Sequence, residues 1–159
     1  MPRVASIALI LALALGVVAA DAVGVVKRPA KSRQHASGQL ELSGTGAVTL
    51  SGEVTAFGVI PEEGGVLYVQ DQKGDATVTL NGARQTLRGR RLNLKQAQGA
   101  FYIKGTRVNA RVQGNNLSLS AAGRGRASVA GIGTFVLNGG DQQNWPPGFA
   151  VIDLLPPTK

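Results

Sequence analysis

Apolar and polar residues alternate with a period of two along the chain from about residue 39 onward. Leu40 and Leu42 flank Glu41, for example. Successive side chains of a β-strand point to opposite faces, so this period predicts strands with one buried face and one exposed face. The other apolar positions that follow the pattern are Val48, Leu50, Val54, Ala56, Ala76, Val78, Leu80, Leu92, Leu94, Phe101, Ile103, Val108, Ala110, Val112, Leu117, Leu119, Ala127 and Val129.

Turn residues separate the alternating runs at intervals of roughly ten residues. The clearest turn signals are Asn81 with Gly82, Asn115 with Asn116, and the Asn-Gly-Gly of residues 138–140. Glycine and β-branched residues interrupt every window that could be helical. The pattern predicts an all-β fold, an antiparallel β-sandwich of about 8–10 short strands. A β-helix is the alternative, because short strands with Gly/Asn corners also suit stacked rungs, although the chain shows no fixed-length repeat.

Two local features refine this prediction. The dense apolar run at 66–69, the polar break at 71–75 and the resumed alternation at 76–80 predict a β-hairpin. The C-terminal tail is interrupted by proline, and residues 149–152 could add an edge strand. Trp145 is expected to close one end of the core, because an indole buries a large area.

The N-terminus carries a candidate export signal. Residues 4–20 form an apolar run interrupted only by Ser6, with Arg3 before it and Asp21 after it. As a hydrophobic helix this run would span about 26 Å, slightly less than a bilayer core. Small residues at 18–20 and 20–22 provide two cleavage patterns, which is typical of a secretory signal peptide. The alternative is an uncleaved membrane anchor over residues 4–26, about 35 Å long.

These observations divide the chain into four parts. Residues 1–22 are a signal peptide or an N-terminal membrane anchor, and residues 23–37 are a basic flexible linker without apolar periodicity. Residues 38–140 are the β domain, and residues 141–159 are a Pro-rich tail. The protein is therefore expected to be exported, either secreted or at the cell surface, or held at the membrane by an uncleaved N-terminal helix.

Charge is distributed unevenly along the chain, which has a formal net charge of +8. Residues 76–140 contain ten basic side chains and no Asp or Glu. The ten are Arg84, Arg88, Arg90, Arg91, Lys95, Lys104, Arg107, Arg111, Arg124 and Arg126. The preceding stretch is acidic, with Lys73 as its one basic residue among Glu41, Glu53, Glu62, Glu63, Asp71 and Asp75. An excess of this kind favours association with polyanions.

The alternation predicts that many of these basic side chains lie on solvent faces, opposite the apolar positions. Arginine dominates, and its planar fork matches phosphate and carboxylate groups bidentately. Tyr102 shares a face with Lys104 and could stack against a base or a sugar. The candidate anion-binding residues are Arg88, Arg90, Arg91, Lys95, Tyr102, Lys104, Arg107, Arg111, Arg124 and Arg126. The alternative is that the charges pair with acidic residues of the same domain, or only keep it soluble and protect its strand edges.

Residues for catalysis or cofactor binding are scarce. Cysteine is absent, and the single histidine, His35, lies in the predicted linker, so thiol or Ser-His-Asp chemistry and His metal sites are disfavoured. Glu62 and Glu63 are adjacent and would point in opposite directions on an extended chain. Asp71 and Asp75 are interpreted as turn-capping residues in preference to a weak Ca²⁺ site. We therefore expect no enzymatic activity, no metal and no cofactor.

Several stretches resemble a known class of proteins. They are GVLYVQD at 65–71 with GDA at 74–76, NLSLSAAGRG at 116–125, and GTF at 133–135 followed by NGG at 138–140 and Trp145. These stretches resemble exported Gly/Arg-rich β-domain proteins of high-GC Gram-positive bacteria. The resemblance covers about residues 38–145. It implies an exported β domain and transfers no catalytic residue.

Two functions are compatible with the sequence. The first is a non-enzymatic exported or membrane-tethered domain that associates electrostatically with anionic cell-envelope polymers or lipid headgroups. The alternative is a structural or assembly module of the envelope that associates with itself through exposed strand edges. Nucleic acid is a disfavoured partner, because single-strand binding surfaces usually present several stacking aromatics.

Overall fold

The computed structural model describes residues 37–156, all of which belong to one compact unit. This part of the chain is all-β, and every strand pair in it is antiparallel. The six strands are β1 (Gly38–Asp71), β2 (Thr77–Leu80), β3 (Ala83–Arg84), β4 (Arg91–Leu137), β5 (Gln142–Asn144) and β6 (Phe149–Leu154). The predicted N-terminal helix and most of the predicted linker lie outside the described residues.

The two long strands, β1 and β4, form an antiparallel ribbon that is rolled so that its edges meet. Val48 pairs with Val112 on one side and with Val129 on the other, a stagger of 129 − 112 = 17 residues. Two sets of pairs therefore join β1 to β4. We call the set that includes Val48 with Val112 the hairpin ladder, and the set that includes Val48 with Val129 the closing ladder. Rolling satisfies backbone hydrogen bonds on both sides of β1, so most of this strand has no open edge.

These pairings place the segments of β1 and β4 in two regions of the sheet. The basic region consists of segments 46–52, 65–71, 91–97, 108–114 and 125–131, with β6 at its end. The hydroxyl region consists of segments 38–44, 54–60, 99–105, 117–123 and 133–137, with β2 and then β3 at one end and β5 at the other. Consecutive segments of each long strand alternate between the two regions; β1 ends and β4 begins with a segment of the basic region, 65–71 and 91–97.

Glycine permits the close approach of β1 and β4 where the ribbon passes between regions. Gly52 lies opposite Gly125 in the closing ladder. A Cβ at Gly52 would overlap the carbonyl oxygen of Arg124, and a Cβ at Gly125 would overlap that of Ser51. Gly52 also has a φ of 117°, a conformation that side-chain-bearing residues rarely adopt. The high glycine content therefore allows the ribbon to turn without breaking its ladders.

The two regions share one hydrophobic core, and the period-two prediction of its residues is confirmed except at Ala76, Leu80 and Leu94, which are only partly buried and pack against it. Leu40 and Leu50, which lie in different regions, are both fully buried in the same cluster. Further buried members are Leu42, Val48, Val54, Ala56, Leu67, Val69, Val78, Leu92, Phe101, Ile103, Val108, Ala110, Val112, Leu117, Leu119, Ala127 and Val129. Intervening side chains point outward, as expected for strands with one buried face.

The predicted hairpin between 66–69 and 76–80 is wrong. The segment 65–71 already pairs with 91–97 on one side and with 108–113 on the other, so it has no edge left for β2. Strand β2 pairs instead with residues 101–104 of β4 and with β3. The turn signal at Asn81 and Gly82 is confirmed, since both residues have positive φ and connect β2 to β3.

The C-terminal part of the described chain belongs to the same sheet. The edge strand predicted at 149–152 is confirmed and runs from Phe149 to Leu154, paired with residues 125–130 of β4. Trp145 is 5% exposed, and its indole N–H donates a 3.1 Å hydrogen bond to the carbonyl of Thr134. The tryptophan therefore packs into the core, as predicted.

The number and length of the strands differ from the prediction. The structure has two long strands and four short ones within residues 37–156, where the sequence predicted about 8–10 short strands. The turn signals at 81–82 and 138–140 do end strands, whereas the corner expected at Asn115 and Asn116 is a register shift within β4. The β-helix alternative is contradicted, because stacked rungs require parallel pairing and the described strands pair only antiparallel.

Candidate functional site

Three rows of outward side chains cross the basic region. Directly paired residues of an antiparallel ladder share a face, so the register gives each row. The first row contains Arg91, Gln70, Asn109, Ser51, Arg126 and Asp153. The second contains Asn93, Tyr68, Arg111, Thr49, Ser128 and Val151. The third contains Lys95, Val66, Gln113, Ala47, Ala130 and Phe149. We call this surface the basic face.

Four of the predicted anion-binding residues lie together on the basic face: Arg91, Lys95, Arg111 and Arg126. All four are exposed. Among residues 37–156, no carboxylate forms an ion pair with Arg91, Lys95 or Arg111. The expected pairing of these three cations with the acidic part of the domain is therefore not seen in the described chain.

Arg126 is the cation of the basic face that does have an acidic partner. Its Nε lies 3.2 Å from Oδ1 of Asp153 on β6. The two side chains are 73% and 59% exposed, so solvent and salt screen the pair strongly. Asp153 is the single carboxylate in the three rows, at the edge of the face. The face thus carries four cations and one carboxylate, a net charge of 4 − 1 = +3.

The cations are separated from each other by neutral polar residues. One strand, which carries Tyr68 and Gln70, lies between Arg91 and Arg111, so the two backbones are about 10 Å apart across the sheet. Another strand separates Arg111 from Arg126 in the same way. Arg111 Nη2 donates a 3.2 Å hydrogen bond to Oε1 of Gln113, which holds its guanidinium close to the sheet. Such spacing suits a ligand with repeated anionic groups better than one small anion.

Sequence reasoning missed Tyr68 as a member of this surface. Tyr68 is half-buried, lies opposite Arg111 and Asn93, and donates a 3.1 Å hydrogen bond from its hydroxyl to Oε1 of Gln70. The dense apolar run around it was interpreted only as one strand of a β-hairpin. The signal that could have revealed it is the alternation itself, since Leu67 and Val69 are the core positions on either side.

The other predicted site residues lie elsewhere. Tyr102 and Lys104 are on the outer face of the hydroxyl region, opposite Phe57 and Thr55 in the hairpin ladder. Arg107 and Arg124 lie where β4 passes between the two regions. Arg88 and Arg90 lie in the loop before β4. The ten candidates therefore do not form one continuous surface, because strand order separates residues that are close in sequence.

Arg124 and Arg90 have local contacts. Arg124 lies opposite Glu53 in the closing ladder. Arg90 has a φ of 64°, and its Nη1 donates a 2.9 Å hydrogen bond to the carbonyl of Gln72, while its own carbonyl accepts one from the N–H of Asp71. Arg90 thus holds two loops together.

The acidic loop residues cap backbone groups. Asp71 is 3% exposed, and its Oδ1 accepts hydrogen bonds from the N–H groups of Lys73 and Gly74 at 3.0 and 2.8 Å. Its Oδ2 accepts one from the N–H of Ala76 at 2.7 Å. The interpretation of Asp71 as a turn-capping residue is confirmed, whereas Asp75 accepts its hydrogen bonds from the distant Thr106. Within residues 37–156, no group of three or more His, Cys, Asp or Glu side chains is arranged to hold a metal ion.

Asp75 and Glu62 tie loops to the ribbon. The hydroxyl and N–H of Thr106 donate hydrogen bonds of 2.6 and 3.1 Å to Asp75, and they lower the pKa of this carboxyl below its ordinary value. Glu62 accepts hydrogen bonds from the amide nitrogens of Asn115 and Asn116 at 3.0 and 2.7 Å. These carboxylates are therefore occupied by structural contacts and do not face the cations of the basic face.

Comparisons with protein-family models, curated proteins and solved structures return no match to this chain. Function is therefore inferred from the residues themselves. Residues 37–156 contain no helix that is long and apolar enough to span a membrane.

Proposed function

We propose that this protein is a non-enzymatic, exported β domain that binds anionic polymers of the cell envelope through the basic face. We also propose that the basic and hydroxyl regions are the two layers of an antiparallel β-sandwich, a view supported by their shared core. The observation that carries the binding proposal is the exposure of Arg91, Lys95 and Arg111 without an ion-pair partner among residues 37–156.

The spacing of the cations favours a polymer as ligand. Arg91, Arg111 and Arg126 lie on alternate strands, with about 10 Å between successive strands of the set. A single phosphate cannot touch two of them at once unless the side chains converge. A chain with phosphate or carboxylate groups at intervals can contact several in succession, so affinity accumulates over weak individual contacts.

The neutral side chains between the cations are suited to the same ligand. Asn93, Asn109, Gln70 and Gln113 can donate amide hydrogen bonds to phosphate or sugar oxygens, and the ring of Tyr68 offers an amphipathic surface beside Arg111. Arginine adds a fork that binds phosphate oxygens bidentately. Lipid headgroups have related chemistry, and anionic vesicles therefore serve as a comparison in the test.

The test compares the full chain with two triple variants. The first is Arg91→Gln, Lys95→Gln and Arg111→Gln on the basic face. The second is Arg84→Gln, Lys104→Gln and Arg107→Gln, which removes the same charge elsewhere and retains the N-terminal segment. Binding to poly(glycerol phosphate), inorganic polyphosphate and polygalacturonate is measured by titration calorimetry.

We expect the basic-face variant to lose at least about tenfold in affinity for one or more of the polymers, and the control to remain within about threefold, because only the first removes several cations from the same surface. Equal losses in both variants would mean that net charge alone governs binding. A preference for anionic vesicles over all three polymers would assign the face to lipid instead.

A second candidate function, self-assembly through a strand edge, is favoured by the exposure of β6. Among residues 37–156 this strand pairs only with β4, and its outward residues Phe149 and Val151 are 69% and 55% exposed. An open edge with apolar side chains can pair with a second copy. Sedimentation velocity over a concentration series distinguishes this function, since assembly requires a dimer that Val151→Lys dissociates.

A further inference from the structure

The outer face of the hydroxyl region contains a shallow groove of about 370 Å³, which is separate from the basic face. The polar and aromatic side chains that line it come from β1, β4 and the residues of β5. They are Glu41, Ser43, Phe57, Ser118, Ser120, Thr134, Phe135 and Gln142. In contrast to the basic face, this groove has hydroxyl and amide groups and one carboxylate, with no cation in its lining.

An exposed aromatic ring forms one side of the groove. Phe57 is 55% exposed, although it lies in the middle of β1 and the sheet buries Phe101 and Phe135 almost completely. Phe57 is directly opposite Ser120 on one side and Tyr102 on the other, so the two rings are neighbours on the same face. Covering this exposed ring with a ligand is energetically favourable, because it removes apolar surface from water.

The polar groups in the groove have unused hydrogen-bonding capacity. Among residues 37–156, the side chains of Glu41, Ser118 and Ser120 make no hydrogen bond or ion pair, whereas Ser43 Oγ lies 3.3 Å from Thr134 Oγ1. The Glu41 carboxylate accepts hydrogen bonds only, and each serine hydroxyl both donates and accepts. This combination matches a ligand whose own groups are hydroxyls.

We propose that the groove binds a neutral glycan, with a sugar ring packed on Phe57 and its hydroxyls bonded to Glu41, Ser118 and Ser120. A pyranose presents a C–H face that is apolar and a rim of hydroxyls, so it can satisfy the aromatic ring and the polar groups together. Tyr102 extends the aromatic surface toward a second sugar unit.

Other occupants fit less well. A polyanion would meet the carboxylate of Glu41, and the nearest basic residue on this face, Lys104, lies outside the groove lining. A peptide strand cannot extend the sheet there, because segments 54–60 and 117–123 have ladder partners on both sides. A second copy of the chain would have to insert a projecting side chain that combines an apolar surface with hydroxyl groups, as a sugar does.

The site is independent of the proposed polyanion binding, and so is its test. The full chain is titrated with cellohexaose, maltohexaose, xylohexaose and mannohexaose at about 0.05 M and about 0.5 M NaCl. We expect binding of at least one hexasaccharide with an affinity that changes less than about twofold between the two salt concentrations, since the ligand carries no charge. The same titrations with the basic-face variant should give the unchanged affinity.

The key variant is Phe57→Ala, with Phe149→Ala as its matched control, because Phe149 is also an exposed phenylalanine but lies on β6. We expect Phe57→Ala to weaken hexasaccharide binding at least about tenfold and Ser120→Val about threefold, with Phe149→Ala unchanged. Unfolding midpoints of the variants verify that each is folded.

Three results would overturn the proposal. They are no binding of any of the four hexasaccharides, equal loss in Phe57→Ala and Phe149→Ala, and a dimer in sedimentation velocity that Phe57→Ala alone dissociates. The last result would assign the groove to a second copy of the chain.

Discussion

Tyr68 lies directly opposite Arg111 in the antiparallel ladder between β1 and β4, and its hydroxyl donates a 3.1 Å hydrogen bond to Gln70. Arg111 in turn donates to Gln113 at 3.2 Å. The ring and the guanidinium are therefore fixed side by side by neutral amides, while the charge of Arg111 has no carboxylate partner within residues 37–156. This pair lies in the middle row of the basic face.

Replacing Arg111 with lysine should weaken polymer binding even though the charge is kept. Lysine lacks the planar fork that binds two phosphate oxygens and cannot keep the contact to Gln113 in the same geometry. We expect a loss of about three- to tenfold for poly(glycerol phosphate) in titration calorimetry. An unchanged affinity would show that Arg111 acts only as a point charge.

Salt should weaken polymer binding steeply. Several exposed cations contribute, and the screening length decreases from about 10 Å at 0.1 M salt to about 3 Å at 1 M. We expect the affinity for inorganic polyphosphate to decrease more than about tenfold between about 0.05 M and about 0.3 M NaCl. The basic-face variant should show a shallower dependence, and equal slopes would count against localised binding.

Asp71→Asn should destabilise the domain although it preserves size. Both carboxylate oxygens accept backbone N–H donors, so an amide would direct its own N–H groups at one of them. A loss of about 2–3 kcal/mol in the free energy of unfolding is expected in urea denaturation. Asp141→Asn, a change at an exposed loop residue, is the control and should alter stability by less than about 0.5 kcal/mol.

Gly52→Ala should be strongly destabilising, because the new methyl group would overlap the carbonyl of Arg124 and the φ of 117° is unfavourable for alanine. We expect a loss of at least about 2 kcal/mol in urea denaturation. Gly82→Ala separates the two causes, since Gly82 has a φ of 76° but open space around it. That variant should lose only about 1 kcal/mol.

The contact between Thr106 and Asp75 should make stability depend on pH in the acid range. Thr106 lowers the pKa of Asp75 in the folded state below its ordinary value of 3.8, so the folded state favours the ionised carboxyl. The contribution is present above that ordinary value and is lost as pH falls through the lower folded-state pKa.

Thr106→Val removes the hydroxyl donor and should test this linkage. In urea denaturation, the variant should be less stable than the parent at about pH 6, and the difference should shrink by about pH 2. A difference that stays constant over this range would show that Thr106 acts through packing and not through the Asp75 carboxylate.

Much of the fold could be predicted from the alternation of residues. The core positions, such as Leu40 and Leu50, were predicted because burial follows directly from the period of two in a strand with one inner face. The pairing partners could not be predicted in the same way. Leu40 pairs with Leu137, and the local sequence pattern around either residue does not indicate a partner so distant in the chain.

The candidate site was predicted only in part for the same reason. Period two gave the outward direction of Lys95, Arg111 and Lys104, but strand order decides which of them meet. Lys104 is in the hydroxyl region, whereas Lys95 and Arg111 are on the basic face. The wrong hairpin at 66–69 and 76–80 has the same origin. Residues 65–71 pair with other parts of β4 on both sides, so β2 pairs with residues 101–104 instead.

The rolled ribbon also has a consequence for how the chain folds. Leu40 near the start of β1 pairs with Leu137 at the end of β4, so β1 has no complete set of partners until synthesis has passed residue 137. Contacts this distant in sequence close large loops, and domains dominated by them fold slowly. We therefore expect the nascent polypeptide to leave the ribosome with unpaired strand edges, which favour aggregation until its last segments emerge.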